Sequence, residues 1–287
     1  MINYFQKFID EKNMTVYSLD MLRLRVIFGS KQTLQEFINY VSALDTFQTE
    51  NYVIDHKTSF KPFTFKHHFT ITTANKHSFA MELEFLGTEE DGLKGWIEFN
   101  PNKLCDDDLF RPFYRVLVNK TIIREVVRYD MAIDIPLGRS VCSLMRQNKK
   151  TYTLIQGEEG ITEYLGSRST NGYIKLYDKK SESKLDYDVT RLEITLNKKH
   201  DIDNIFPEVM IYDTQNALIM GDDLSITDKV LIGMLQTSDK PMFYFSQLSY
   251  RMRKKIKPYM AHRTLPLNRK CYEQVKQLAL SFETTIT

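Results

Sequence analysis

Cysteine is scarce. The three present, Cys105, Cys142 and Cys271, are an odd number at wide spacing, with no CxxC pair. That excludes a disulfide framework and offers no zinc site. A reducing cytoplasm is the setting expected of such a chain. No run of about 18 apolar residues occurs, so neither a membrane-spanning helix nor a membrane partner is expected. The N-terminus, Met1 to Lys12, mixes charged and aromatic residues and lacks the apolar centre of a signal peptide. Net charge is only +2, which by itself says nothing about nucleic acid. A local absence says more. Between Lys240 and Tyr272 there is no aspartate or glutamate, while Lys240, Arg251, Arg253, Lys254, Lys255, Lys257, Arg263, Arg269 and Lys270 all fall there. Positive charge gathered at one end is what a phosphate-binding surface requires.

Hydrophobic residues make up 42% of the 287, enough for a sizeable core in one large domain or two modest ones. Tyr17 to Phe28 alternates Leu22, Leu24 and Val26 with Arg23 and Arg25, the period of a half-buried strand. Lys31 to Ala43 has helical spacing, with Leu34, Phe37, Ile38 and Val41 on one face. Strands are expected at Phe63 to Thr72, Phe79 to Leu86 and Gly95 to Phe99, then a helix over Asp106 to Val118 with Asp106 as its N-cap. The second half echoes this order. A strand over Thr121 to Ile135 precedes a short helix over Ser140 to Gln147. Further strands follow at Tyr152 to Gln156, Ile161 to Ser167, Gly172 to Lys179 and Val189 to Leu196. After His200 the pattern turns helical: Ser225 and Asp228 form a capping-box pattern, and helices are expected over Phe243 to Lys257 and Arg269 to Phe282. The fold class is therefore α+β. Two antiparallel-sheet units, residues 1–120 and 121–200, are fused side by side, and a mainly helical, basic region, residues 201–287, is the expected DNA-binding part.

Within Thr121 to Ile135, the two-residue period puts Arg128, Asp130, Ala132 and Asp134 on one face, and Met131 and Ile133 on the other. Arg191, Glu193 and Thr195 share a face in the same way. Carboxylates gathered on a sheet face suit a hard divalent metal, and a solvated strand face would show the same residues. After the polar turn Gly166 to Gly172, Tyr173, Lys175, Tyr177 and Lys179 are in phase. A phenol beside ammonium groups is better poised to ionise, because positive charge stabilises phenolate. His67 and His68 are adjacent, so they point to opposite faces and do not make a two-histidine metal motif.

Taken together, RxDxxxD from Arg128, YLGSRxxxxYxxLYDK from Tyr164 and RLE from Arg191 resemble the rolling-circle plasmid replication initiators of the replication-initiation-factor type, a family related to some conjugative-element relaxases. In motif order the resemblance covers roughly residues 15 to 200. It implies a site-specific DNA nickase with a tyrosine nucleophile, a 5′-phosphotyrosyl intermediate and later religation. Carried onto this chain, Tyr177 is the nucleophile, with Lys179, Arg128 and Arg191 beside it. Asp130 and Glu193 are metal-site acids for Mg2+ or Mn2+, joined by Asp20 and Asp134. Lys175 and Arg168 are expected to touch the DNA there. Arg251, Arg253, Lys254, Lys255 and Lys257 are expected to bind it through the C-terminal region, where arginines on a helix can read a major groove. The implied partners are a double-stranded origin in its single-stranded or cruciform form, a host helicase and a second copy of the chain in a homodimer.

Two other functions suit parts of the pattern. A non-catalytic DNA-binding regulator would keep the basic C-terminal region without needing Asp130, Glu193 and Tyr177 in phase. A conjugative relaxase would share the chemistry but act on a transfer origin. Many such relaxases carry an extra N-terminal helix-turn-helix; a first strand near Tyr17 leaves no room for one, which favours the replication initiator.

Overall fold

The structure, a computed structural model, describes the chain except residues 1–6, 47–50, 62–63, 87–92, 148–149, 159, 169, 199–200, 213–223, 261 and 286–287. Its first half runs β1 (Lys7–Asp10), β2 (Thr15–Phe28), α1 (Lys31–Thr46), β3 (Tyr52–Lys61), β4 (Thr64–Thr73), β5 (Ser78–Leu86), β6 (Leu93–Phe99), α2 (Pro101–Leu104) and α3 (Phe110–Lys120). The second half runs β7 (Thr121–Ile135), a 3₁₀ turn at Arg139–Val141, β8 (Cys142–Leu144), β9 (Tyr152–Gly157), β10 (Gly160–Leu165), β11 (Ile174–Asp178), α4 (Lys179–Ser183) and β12 (Thr190–Leu196). Then come β13 (Val209–Tyr212), α5 (Ile226–Thr237), α6 (Pro241–Gln247), α7 (Tyr250–Ile256), β14 (His262–Thr264), α8 (Arg269–Leu280) and β15 (Thr284–Thr285). The expected α+β class holds.

The two halves build one continuous sheet, ordered β3-β4-β5-β6-β2-β7-β12-β11-β10-β9, with β1 against β2 and β15 against β7. Read outward from the central β2–β7 pair, both halves show the same order: the long first strand, then the last strand of the half, then the others in reverse. The register matches as well. The β2–β6 ladder runs from Leu22–Phe99 to Phe28–Leu93, and the β7–β12 ladder from Tyr129–Leu196 to Ile135–Thr190. Two of the three bulges correspond as well: the central ladder skips Asp20 in β2 and Val127 in β7, while a third skip, at Ile122 in β7, has no counterpart in β2. A local two-fold relation thus runs through the middle of the sheet.

Strand alternation gives this sheet one apolar face. Leu22, Leu24, Val26, Met131, Ile133, Leu192 and Ile194 are fully buried there, against Leu34, Phe37 and Val41 of α1, Phe113 and Leu117 of α3 and Val275 and Ala279 of α8. The opposite face is polar and carries the expected site residues. A smaller core, built from Met210, Ile232, Leu235, Met242, Phe245, Ile256 and Met260, holds the C-terminal helices together.

Several elements differ from expectation. Ser140 to Gln147 is not a helix; its Cys142–Leu144 strand joins β13 and β14 in a second, three-stranded sheet. All four residues of β13 are buried, so it shows no alternation, and an apolar run of that length does not distinguish strand from helix. The Phe243 to Lys257 helix is broken at Leu248, and Ser249 caps the new helix by accepting from the Met252 amide at 3.3 Å. At the start of α3 the helix-end acid is Asp107 rather than Asp106: its Oδ1 accepts from the amides of Leu109 (2.8 Å) and Phe110 (3.2 Å). The capping box of Ser225 and Asp228 is present as expected.

Candidate active site

The middle strands of the second half place the expected residues on the open face. Asp130 lies opposite Thr195, Ala132 opposite Glu193, and Asp134 opposite Arg191. On the next strand Lys175 pairs with Glu193 and Tyr177 with Arg191. Ala132 ends at Cβ, which leaves space for the Glu193 carboxylate. The bulge at Asp20 adds one residue to β2 and turns that carboxylate toward β12, where Arg191 Nη1 reaches it at 3.2 Å. Bulges of this kind re-aim side chains beside functional sites.

Tyr177 donates its hydroxyl proton to Glu193 Oε1 at 2.6 Å. Lys175 Nζ lies 3.7 Å from the Tyr177 ring centroid and 3.8 Å from Glu193 Oε2. Lys179 Nζ is 6.0 Å from the same centroid and is held by Glu182 at 2.5 Å. Burial, then the charge of Glu193 and the hydrogen bond to it, push the Tyr177 phenol well above its ordinary value. This reverses the expectation that nearby lysines favour phenolate: Lys175 meets the ring, not the oxygen, and the carboxylate at the oxygen dominates. Burial also raises Glu193, helped by repulsion from Asp20 and opposed by Lys175 and Tyr177. Burial raises Asp130 too, against the pull of Arg128.

Arg128 grips Asp130 through Nε (3.2 Å) and Nη2 (3.1 Å). Arg191 grips Asp134 through Nε (2.6 Å) and Nη2 (2.9 Å) while its Nη1 reaches Asp20. Among the described residues no three of His, Cys, Asp and Glu gather closely enough to hold a metal ion by themselves. Magnesium, however, is commonly held by one or two carboxylates, with water and substrate phosphate completing its shell. Glu193, mostly buried and with Lys175 no nearer than 3.8 Å, fits that role, and Asp130, mostly buried beside it, would share its carboxylate between the ion and Arg128. Asp20 and Asp134 are instead occupied by Arg191.

A cavity of about 240 Å³ opens here, lined by Arg128, Asp130, Tyr164, Arg168, Tyr173, Lys175, Glu193 and Thr195. The turn carrying Arg168 starts and ends at Gly166 and Gly172, whose φ values of 87° and 75° favour glycine. The rings of Tyr164 and Tyr173 stack with centroids 5.9 Å apart. Tyr177 does not line the cavity and is only 5% exposed.

The C-terminal residues divide. Arg251 and Lys254 are exposed on α7. Lys255 pairs with Asp228 and Lys257 with Glu208. Arg253 departs from the expectation of a DNA-facing residue: it is fully buried, donates to the Leu144 carbonyl at 3.3 Å and stacks over Tyr152 with Cζ 5.1 Å from the ring centroid. It joins α7 to the sheet.

Glu163 is a residue that the motifs do not single out. It is fully buried on β10 and accepts from Arg139 Nη2 (2.6 Å), Ser143 Oγ (3.0 Å), the Leu144 amide (3.0 Å) and the Tyr152 hydroxyl (2.5 Å). A signal for it is present in the sequence, since Glu163 falls in phase with Leu165 on the side of β10 that alternation assigns to the interior. It lies beside Tyr164 and ties β8 and β9 under the cavity.

No model of a known protein family matches the chain, and no curated protein does. One solved structure, described as that of a rolling circle replication initiator protein from Geobacillus stearothermophilus, aligns over 92% of this chain and 96% of that one, at 14% identity and a TM-score of 0.34, a likeness too low to carry an argument.

Proposed function

We propose that the protein is a DNA strand-nicking enzyme that initiates rolling-circle replication, with Tyr177 as nucleophile. The observation that carries this is the 2.6 Å hydrogen bond from the Tyr177 hydroxyl to the mostly buried Glu193 carboxylate, on a face that also offers Arg128, Arg168 and Lys175 to a phosphate chain. A tyrosine is a weak nucleophile at its ordinary pKa and needs a partner to take its proton. Glu193 is that partner. As the phenol oxygen bonds to phosphorus, its proton passes to Glu193. The bond from phosphorus to the 3′ oxygen breaks, and that oxygen leaves as a hydroxyl after protonation by solvent. Arg128 and Lys175 neutralise the non-bridging oxygens. The ion that Asp130 and Glu193 would hold, magnesium or manganese, supplies polarisation of the scissile phosphate when bound. The phosphotyrosyl link keeps the energy of the broken bond, so the strand can be rejoined by the reverse steps.

Tyr177 is covered by Lys175 in the free protein. A cation over a phenol ring gains about 0.5–2 kcal/mol, and an incoming phosphate offers that ammonium a full negative charge instead. DNA binding therefore draws Lys175 off the ring and opens the way to the hydroxyl. Tyr164 and Tyr173 are the other candidate nucleophiles, because both line the open cavity. The double-stranded origin, its cruciform or single-stranded form, a helicase partner, a homodimer and a cytoplasmic setting belong to the same proposal and rest on the motif resemblance. A relaxase would share the chemistry and differ only in its DNA.

The test is incubation of the protein with supercoiled plasmid carrying the origin of the parent replicon, with magnesium or manganese, followed by denaturing gels. The expected result is a nicked circle with protein attached to its 5′ end. Binding without any covalent product would leave only a DNA-binding regulator.

A further inference from the structure

The local two-fold gives the active site a counterpart in the first half of the sheet. Following the paired registers, Asp130 corresponds to Arg23, Glu193 to Trp96, Arg191 to Lys94, Lys175 to Glu82, Tyr177 to Glu84, and the bulge residue Asp20 to Val127. All six of these counterparts line a second cavity, of about 220 Å³. The tyrosine and its carboxylate partners are gone, but the hollow remains.

What fills the counterpart positions suits binding. The Arg23 guanidinium stacks over the Trp96 indole, 4.6 Å from its centroid, and Glu98 holds Arg23 at 2.6 Å. Lys66 occupies both acids of the hollow, Glu82 at 2.7 Å and Glu84 at 3.3 Å. Arg25 has only a loose contact with Glu125 at 3.9 Å, and Lys94 makes no ion pair among the described residues. Among the described residues the charge left available at the rim is therefore positive, beside an aromatic plate. The two cavities lie on adjacent strands: Arg128 lines one, Arg23 lines the other, and the two residues lie directly opposite each other in the β2–β7 ladder.

We propose that this inactive twin is a binding subsite for single-stranded DNA, in which a base stacks on Trp96 and its phosphates lie against Arg25 and Lys94. Indole and guanidinium plates accept any base by its flat face, and basic groups beside them follow the backbone. That the bound strand is the one cut rests on the nicking proposal; the binding itself does not.

Trp96 is the only tryptophan in the chain, so its emission reports this site alone. The full-length protein is titrated with a dye-labelled oligothymidine of about 15 nucleotides, a length within single-strand site sizes. Dye anisotropy and tryptophan emission are read together. The expected result is saturable quenching with the same midpoint as the anisotropy. Arg25→Ala with Lys94→Ala weakens binding several-fold. Trp96→Ala weakens it about 10-fold, in the range of a single base stack, and Trp96→Phe retains most of the affinity because a ring remains. Circular dichroism checks that each variant folds. Saturating anisotropy with unchanged emission, wild-type affinity in folded Trp96→Ala, or quenching by duplex alone would each overturn the proposal, as would no binding at all. Tyr177→Phe should quench like wild type. If no variant or wild-type protein ever forms a covalent adduct but quenching persists, the nicking proposal fails and the subsite stands.

Discussion

Tyr177 and Glu193 are diagonal neighbours in the β11–β12 ladder, not a directly paired couple, yet their side chains close to 2.6 Å. Neither directly paired residue takes that hydrogen bond. Arg191, opposite Tyr177, turns toward Asp134 and Asp20, and Lys175, opposite Glu193, lies over the tyrosine ring. The diagonal contact therefore depends on Arg191 holding its two aspartates, which makes Arg191 a positioning residue for the pair.

Tyr177→Phe should abolish covalent adduct formation and leave DNA binding within about two-fold, because only an oxygen is removed and binding is spread over phosphate contacts. Glu193→Gln keeps the shape and removes the proton acceptor, so the rate of adduct formation should fall by about 10²–10⁴, the range for a general base. Labelled single-stranded origin DNA and denaturing gels measure both. Adduct formed by Tyr177→Phe and absent from Tyr173→Phe or Tyr164→Phe would move the nucleophile to that tyrosine of the cavity lining.

Asp107 carries a pH prediction. Burial pushes its carboxyl up, but hydrogen bonds from Thr73, the Leu109 amide and His77 outweigh that and hold it below the ordinary value of 3.8. A depressed acid stabilises the fold above its unfolded pKa, and that contribution disappears as pH falls through the folded value. Asp107→Asn should therefore cost about 1–3 kcal/mol near neutral pH, the range for hydrogen bonds to a buried group. The difference from wild type should shrink below pH 4 or so, as the wild-type carboxyl takes up its proton. Urea unfolding at a series of pH values measures it; a difference constant down to pH 3 or so would show that the charge is not what Asp107 contributes.

Much of this is legible in the sequence, because strand alternation is a local property. Arg128, Asp130 and Asp134 fall on one face as their spacing requires, as do Arg191 and Glu193. Three things are not legible. The bulge at Asp20 depends on how β2 meets β7, a long-range pairing that no local period encodes. Along its own strand the Tyr177 phenol has lysine neighbours, while the deciding charge, Glu193, comes from the adjacent strand. The basic C-terminal stretch shows its composition but not its orientation, so an exposed Lys254 and a buried Arg253 look alike.

That last pair yields a prediction with two opposed outcomes from one helix. Arg251 and Lys254 are exposed on α7 and face solvent, so reversing both to glutamate should weaken DNA binding while the fold is kept. Each phosphate that is no longer neutralised lowers the slope of log affinity against log salt by about 0.9, so the slope of the double variant should be shallower by close to 2. Arg253→Ala should act otherwise. It removes a fully buried guanidinium that stacks on Tyr152 and donates to Leu144, next to the Glu163 network. The salt slope should stay at the wild-type value, while thermal unfolding shifts downward, as expected when a large buried side chain leaves a void. Two guanidinium nitrogens of Arg253, Nε and Nη2, have no hydrogen-bond partner among the described residues, so part of that destabilisation is offset by no longer burying them unpaired. Arg253→Met keeps most of the volume without the charge and should recover stability above that of Arg253→Ala. Anisotropy titrations over a range of salt, with melting curves of the same samples, separate the two roles. A reduced salt slope in Arg253→Met with unchanged melting would place Arg253 on the DNA after all, and would mean that α7 turns over when DNA binds.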